Sequence, residues 1–201
     1  MTHVKVCGVT TVSDAVACAE LGVAAIGLNF VPSSPRCITL ERAREIAGAI
    51  RGVLVVGVVA NMTEAQMRAV REVVGCLQLH GDEPPEALTP FLPHAYKAIR
   101  VSTAADVERA RAYPGEHVLV DAKHPDQPSA LGGTGMTFDW SLVRAFAKER
   151  KLTLAGGLTP DNVARAIAEV APFCVDVASG VESAPGVKDL VKVRALLRAA
   201  A

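Results

Sequence analysis

Short apolar runs alternate with longer amphipathic stretches along the whole chain. The runs are Val4–Cys7, Ala25–Phe30, Val53–Val59, Cys76–Leu79, Tyr96–Val101, Val118–Asp121, Leu152–Ala155 and Cys174–Ala178. They are rich in Val, Ile and Leu and lack strict polar alternation, which is the pattern of strands covered on both faces. Between them the pattern predicts helices over Asp14–Leu21, Leu40–Ile50, Ala104–Ala112, Trp140–Lys148 and Asp189–Ala200. Another starts at Thr63, whose spacing to Gln66 is that of a capping box, with Gly75 near its end. Gly22 suits a left-handed cap after Leu21. Thr159-Pro160 places a cap residue before a proline at a first helical position. Pro84, Pro85, Pro90 and Pro93 leave room for only a short helix between strands four and five.

This alternation predicts a parallel sheet with helices outside it. Eight strands of ~5 residues and eight helices of ~11 use ~128 positions. The remaining ~70, shared among about sixteen connections, give loops of ~4–5 residues, the usual length. A (β/α)₈ barrel, a TIM barrel, therefore fits the chain at the short end of its size range. Periodicity alone leaves a doubly wound open sheet as the competitor. No linker or charge run divides the chain, so residues 1–201 are expected to form one barrel domain.

Composition narrows the function classes. The 201 residues are 50% hydrophobic and 21% charged, a globular balance able to bury a large core. Lys+Arg and Asp+Glu are both 21, so the net charge is zero, which argues against nucleic acid as a principal partner. It leaves room for a small anion held by a few local groups. No apolar run reaches the ~20 residues that span a bilayer, and residues 1–7 lack a signal-peptide core, so no membrane is expected. The five cysteines include no CxxC and form no evident disulfide framework or zinc site. A reducing cytoplasm is the default location.

A barrel of this kind keeps its active site at the C-terminal strand ends. Strand seven ends in Gly156-Gly157 and strand eight in Ser179-Gly180. Glycine lets backbone approach an anion closely, and the loops after strands seven and eight are the usual phosphate site. Taken singly, each is as well explained as a tight turn. Cys7 closes strand one ahead of Gly8. It reads either as a base with an activated thiol or as a small packed hydrophobe. Asp121 closes strand six after Val-Leu-Val, where desolvation raises a carboxyl pKa and suits a general acid; a helix cap or a salt bridge to Lys123 is the alternative. His80 orients substrate or caps strand four. Arg36, after a Ser-Pro turn, offers a planar fork for a carboxylate or phosphate, or is a solvated surface charge. Gly132-Gly133-Thr134-Gly135 lies in a long loop able to close over a ligand. Cys18, Cys76 and Cys174 are assigned to packing, Asp176 to strand structure, and Cys37 to no role. A catalytically silent phosphate-binding barrel and an isomerase or epimerase of another sugar phosphate stay open.

In their joint order and spacing, KVCGVT (Lys5–Thr10), SPR (Ser34–Arg36), QLHG (Gln78–Gly81), Asp121, GGTGMTFDW (Gly132–Trp140), LAGGLTPDNV (Leu154–Val163) and DVASGVESAPGVKD (Asp176–Asp189) resemble the phosphoribosylanthranilate isomerases of tryptophan biosynthesis. The likeness covers essentially the whole chain. It implies a TIM barrel that performs an Amadori rearrangement of N-(5-phosphoribosyl)anthranilate to 1-(2-carboxyphenylamino)-1-deoxyribulose 5-phosphate. It implies that Asp121 is the general acid on the ribose ring oxygen and Cys7 the general base at C2. Arg36 would hold the anthranilate carboxylate, His80 would line the pocket, and Gly157, Ser179 and Gly180 would cradle the phosphate. The reaction it implies is redox-neutral and needs no metal or cofactor, and the family occurs as monomers and homodimers. Val59-Ala60, Cys37 and Ala178 depart from residues common in the family and touch packing near the site. An aspartate pair at the ends of strands one and five, expected of histidine-pathway barrels, is replaced here by Cys7 and Val101–Ser102.

Overall fold

All eight apolar runs become strands, within a residue or two at each end: β1 His3–Cys7, β2 Ala25–Asn29, β3 Leu54–Val59, β4 Cys76–Leu79, β5 Ala95–Val101, β6 His117–Ala122, β7 Lys151–Leu154 and β8 Cys174–Val177. The computed structural model describes residues 2–123 and 137–201. The strands pair in parallel and in chain order, and β8 returns to β1, so the sheet closes into an eight-stranded barrel. The open-sheet alternative is thereby excluded. Closure rests on a register in which Val4, Lys5 and Val6 lie beside Val175, Asp176 and Val177.

Side chains alternate across each strand. One set, with Val4, Val6, Ile26, Leu28, Val118, Val120, Leu152, Leu154 and Val175, packs outward against the helices in the main core. Each fully buried Leu or Ile there contributes roughly 1.5–3 kcal/mol. The other set faces inward. Ala25, Val56, Cys76, Tyr96, Ala98, Leu119 and Ala155 fill the barrel's interior. The Tyr96 ring stacks on His117 at a centroid separation of 4.4 Å.

Among the described residues, six α-helices surround the barrel: α1 Val12–Glu20, α2 Leu40–Ala49, α3 Glu64–Arg71, α4 Ala104–Arg111, α5 Val163–Val170 and α6 Leu190–Ala199. The Thr63/Gln66 capping box is formed. Gly22 takes the left-handed conformation expected after α1, with φ 90°. Between β4 and β5 the proline-rich stretch makes two short 3₁₀ turns, Pro85–Ala87 and Thr89–Phe91. Two expectations fail. The segment expected as helix over Trp140–Lys148 is instead two 3₁₀ turns, Trp140–Val143 and Phe146–Lys148. Its buried residues Trp140, Val143 and Phe146 recur every third position, the period that 3₁₀ winding brings to one face. Thr159-Pro160 does not start α5. Asn162 is the N-cap residue, and its Oδ1 accepts from the Thr159 N–H at 2.9 Å, so 159–162 is a turn.

A small hairpin, β9 Glu182–Ala184 with β10 Val187–Lys188, was not anticipated. It turns at Pro185-Gly186 and lies against the start of α1. Thr10 Oγ1 donates to Gly186 O at 2.7 Å, and Asp14 Oδ2 accepts from the Lys188 N–H at 3.1 Å. The hairpin thereby carries Glu182 and Lys188 to the end of β1.

Candidate active site

Cys7 and Asp121 lie two residues along from Lys5 and Leu119, on the inner face of their strands. Beneath them is a buried polar layer. Lys5 Nζ donates to Asp176 Oδ2 at 2.8 Å and to Gln78 Oε1 at 3.0 Å. Tyr96 Oη donates to the same Gln78 oxygen at 3.0 Å. Two donors on Oε1 fix the orientation of the Gln78 amide, so its NH₂ is the group 3.2 Å from His80 Nδ1. Donation into Nδ1 leaves the imidazole proton on Nε2, which faces Asp121 Oδ2 at 3.5 Å. Burial, with Lys97 and Lys5 nearby, pushes the His80 pKa down to about 3, so the ring is neutral.

Asp121 is 5% exposed. Its Oδ1 accepts from the Ala122 N–H at 2.8 Å. Burial first, and the charge of Asp176 second, raise its pKa to about 7, against the opposing effects of that N–H, Lys5 and Arg100. A carboxyl in this state carries a proton near neutral pH and can deliver it. Arg100, the β5 neighbour of Asp121 in the sheet register, pairs with Asp82 at 2.7 Å.

Cys7 stands beside Gly27 of β2. A Cβ on Gly27 would lie 2.6 Å from the Cys7 Sγ, so the thiol rests where a side chain would otherwise be. Burial pushes the thiol pKa up, while Lys5 and Lys188 pull it down. Lys188 Nζ donates to the Cys7 carbonyl at 2.6 Å and to Glu182 Oε1 at 2.7 Å. Gly27→Ala should displace the thiol and lower kcat by roughly 10–10²-fold, because small misplacements of a reacting group carry costs of that order. Steady-state kinetics with a melting curve as folding control checks this; an unchanged kcat would show that the thiol's position is not critical.

Arg36 lies at the same end of the barrel, its stem over Gly8. Its Nε and Nη2 bond both oxygens of Glu182, at 2.8 and 2.6 Å. These bonds use two of its five N–H donors; the rest of the fork is available for an anion. The phosphate candidates also come together. Ser179 and Gly180 form a 3₁₀ turn after β8, and a Cβ on Gly180 would overlap the Leu158 carbonyl oxygen. Gly180 thus touches the segment that follows Gly157, whose own carbonyl is held by Asn162 Nδ2 at 2.9 Å. Gly132-Gly133-Thr134-Gly135 lies outside the described residues.

The chain pattern did not single out Lys5, Gln78, Arg100, Glu182 or Lys188, and it assigned Asp176 to structure. A signal was present for two of them. Lys5 and Asp176 interrupt apolar strands with opposite charges, and buried charges require partners. Asp176 Oδ1 is buried without a hydrogen-bond partner among the described residues. Cys18, Cys76 and Cys174 are buried, as expected of packing residues, and Cys37 is exposed. Among the described residues no His/Cys/Asp/Glu group could hold a metal ion, and no helix is long and apolar enough to cross a membrane.

A closed parallel barrel whose mouth holds a buried carboxyl, a thiol and a glycine-lined turn defines a (β/α)₈-barrel enzyme equipped for acid–base chemistry. The comparisons with known proteins are specific. Residues 4–199 match the family model of N-(5'-phosphoribosyl)anthranilate (PRA) isomerase. An N-(5'-phosphoribosyl)anthranilate isomerase of Myxococcus xanthus is 47% identical over 98% of this chain and 95% of its own. The crystal structure of the phosphoribosyl anthranilate isomerase from Thermotoga maritima superposes with a TM-score of 0.90 at 39% identity, covering 100% of this chain and 98% of that one. A phosphoribosyl anthranilate isomerase in complex with reduced 1-(o-carboxyphenylamino)-1-deoxyribulose 5-phosphate gives a TM-score of 0.87 at 36% identity, with 100% and 98% covered. This chain belongs to the N-(5'-phosphoribosyl)anthranilate isomerase family and is an isomerase.

Proposed function

We propose that this single barrel converts N-(5-phosphoribosyl)anthranilate to 1-(2-carboxyphenylamino)-1-deoxyribulose 5-phosphate, a step of tryptophan biosynthesis, with Asp121 as acid and Cys7 as base. The observation that carries the reading is the buried Asp121 carboxyl, held by the Ala122 N–H beside His80, in the same barrel mouth as the Cys7 thiol. Asp121 gives its proton to the ribose ring oxygen as the C1–O bond breaks, and the substrate's nitrogen lone pair forms the Schiff base. The Cys7 thiolate then takes the C2 proton, and the C–H electron pair moves to form the enolamine, which tautomerises to the ketone. The protonated Nε2 of His80 can hydrogen-bond the carboxylate that Asp121 leaves behind. No step needs a metal or cofactor, since the substrate supplies its own nitrogen and its oxidation state is unchanged overall.

The phosphate is held by backbone N–H groups of Gly157, Ser179 and Gly180, whose segments touch. Arg36, propped by Glu182, receives the anthranilate carboxylate, and His80 lines the pocket. The five free cysteines suit a reducing cytoplasm. The chain works as a monomer or homodimer; a Thermotoga maritima relative is described as dimeric. Incubation with freshly generated phosphoribosylanthranilate should consume anthranilate fluorescence; no change in fluorescence would overturn the reading. Arg36→Lys keeps the charge but loses the fork toward both Glu182 and the carboxylate. Its expected cost is about 1–3 kcal/mol in kcat/KM. A kcat/KM equal to wild type would show that Arg36 makes no substrate contact.

A further inference from the structure

We propose that Lys5 is a positioning residue whose buried ammonium is the counter-ion of the Cys7 thiolate during proton abstraction, held in place for that task by Asp176 and Gln78. The proposal rests on the assignment of Cys7 as base. Its starting point is that a lysine in the middle of an apolar strand is an expensive residue. Lys5 is 2% exposed, in a barrel interior it shares with apolar side chains such as Val56, Ala98 and Leu119. A buried ammonium–carboxylate pair is often no more stabilising than an apolar pair of the same volume, so packing gives no reason to place it there.

The geometry supplies the reason. Lys5 precedes Cys7 by two residues on one strand, so both side chains leave the same face. Asp176 is its direct neighbour on β8, and Gln78 reaches it from across the barrel on β4. These two contacts hold Nζ within the interior while Cys7 stands one layer above. The charge of Lys5 pulls the thiol pKa down against the burial that raises it. The other ionisable groups facing Lys5 are Cys76 on β4, His80 just after β4, Tyr96 on β5, His117 and Asp121 on β6, and Cys174 on β8.

Charge counting around the thiol points the same way. Lys5, Lys188 and Arg36 are cations near Cys7, and Asp176 and Glu182 are the carboxylates that pair with them. Glu182 is shared by Arg36 and Lys188, while Asp176 serves Lys5. While Asp121 is protonated, the cluster therefore holds one positive charge in excess, which favours the thiolate formed in turnover. Lys188 and Arg36 are both tied to Glu182 of the hairpin, and Lys188 is as fully buried as Lys5. Of the two lysines that pull the thiol pKa down, Lys5, on the same strand face as Cys7, acts the more strongly.

The test reads the thiol directly. In a Cys37→Ser background, iodoacetamide labelling of Cys7 is followed by mass spectrometry as a function of pH, for wild-type Lys5, Lys5→Met and Lys5→Arg. The proposal expects Lys5→Met to move the labelling midpoint upward by about one pH unit or more and to slow labelling near pH 7 roughly tenfold. Lys5→Arg should restore most of the rate. In turnover, Lys5→Met should lower kcat by a similar factor and leave KM nearly unchanged. If Lys5→Met alone does not fold, the double variant Lys5→Met/Asp176→Asn removes the carboxylate that the single change strands, and its labelling midpoint should lie above that of Asp176→Asn alone, because Asp176 itself disfavours the thiolate. A profile unchanged in Lys5→Met, or the same in the double variant as in Asp176→Asn, would overturn the role of Lys5. An active Cys7→Ser enzyme would instead overturn the assignment of the base, so the two failures are separable.

Discussion

Cys7→Ser and Asp121→Asn should each lower kcat by roughly 10²–10⁴-fold, the usual worth of a general base or acid. Serine preserves the small polar side chain beside Gly27 but is a far weaker acid than a thiol. Asparagine keeps the acceptor that bonds the Ala122 N–H but has no carboxyl proton to give. The pH profiles distinguish the two losses. Burial raises Cys7 above the ordinary thiol range, while Asp121 titrates at about 7, so the base has the higher pKa of the pair. The active form, protonated acid with ionised base, is then a minor species, and its population is level between the two pKa values. In wild type, kcat/KM should rise to a plateau beginning near pH 7 and fall above the Cys7 pKa. Without Asp121 the fall at high pH should vanish and the rise should continue up to the thiol pKa. Without Cys7 the rise should vanish, leaving a decline above pH 7. Near wild-type kcat in both variants, with native circular dichroism, would remove the acid–base assignment and favour a barrel that only binds.

Asp121→Asn should also stabilise the fold, and only on the alkaline side. The folded pKa of about 7 lies above the ordinary value of 3.8, so the native state binds more protons between those limits. Stability contributed by the protonated carboxyl is complete below the unfolded pKa and is lost as pH rises through 7. Holding a buried carboxylate at pH 8 therefore costs roughly 2–4 kcal/mol relative to a neutral isostere. His80 and His117 act in the opposite sense. Burial depresses them to about 3 and about 4, so their contribution declines as pH falls below the unfolded histidine value. Both histidines remain in the variant, so the difference between the two proteins isolates Asp121. Urea denaturation should show Asp121→Asn more stable than wild type at pH 8 and nearly equal to it at pH 4. The same difference at both pH values would show that Asp121 is not held protonated by its surroundings. The expected gain accompanies a loss of activity, as for other strained catalytic groups.

Much of this protein is legible along the chain because its determinants are local. Eight apolar runs became eight strands, since burying Val, Ile and Leu on both faces of a short segment leaves few other solutions. Thr63 and Gln66 made their capping box because both partners lie within one turn. Cys7, His80 and Asp121 were singled out by standing at strand ends, which the barrel rule makes the reactive end. Other features depended on groups far apart in sequence. Ring closure needs β8 beside β1, and no periodicity distinguishes that from an open sheet. Trp140–Lys148 became 3₁₀ turns because Trp140, Val143 and Phe146 meet the core at every third position, which overrode an otherwise helical pattern. The hairpin that brings Glu182 to Arg36 and Lys188 to Cys7 is visible only once the end of the barrel is assembled. Lys5 and Asp176 are 171 residues apart, and each by itself reads as a flaw in an apolar strand. Only the closed barrel makes them neighbours, because the free energy of a buried ion pair depends on a geometry that neither segment specifies alone. The sequence by itself determined the strands and the chemical groups at their ends; the tertiary structure decided which charges surround those groups, and hence which protons they hold.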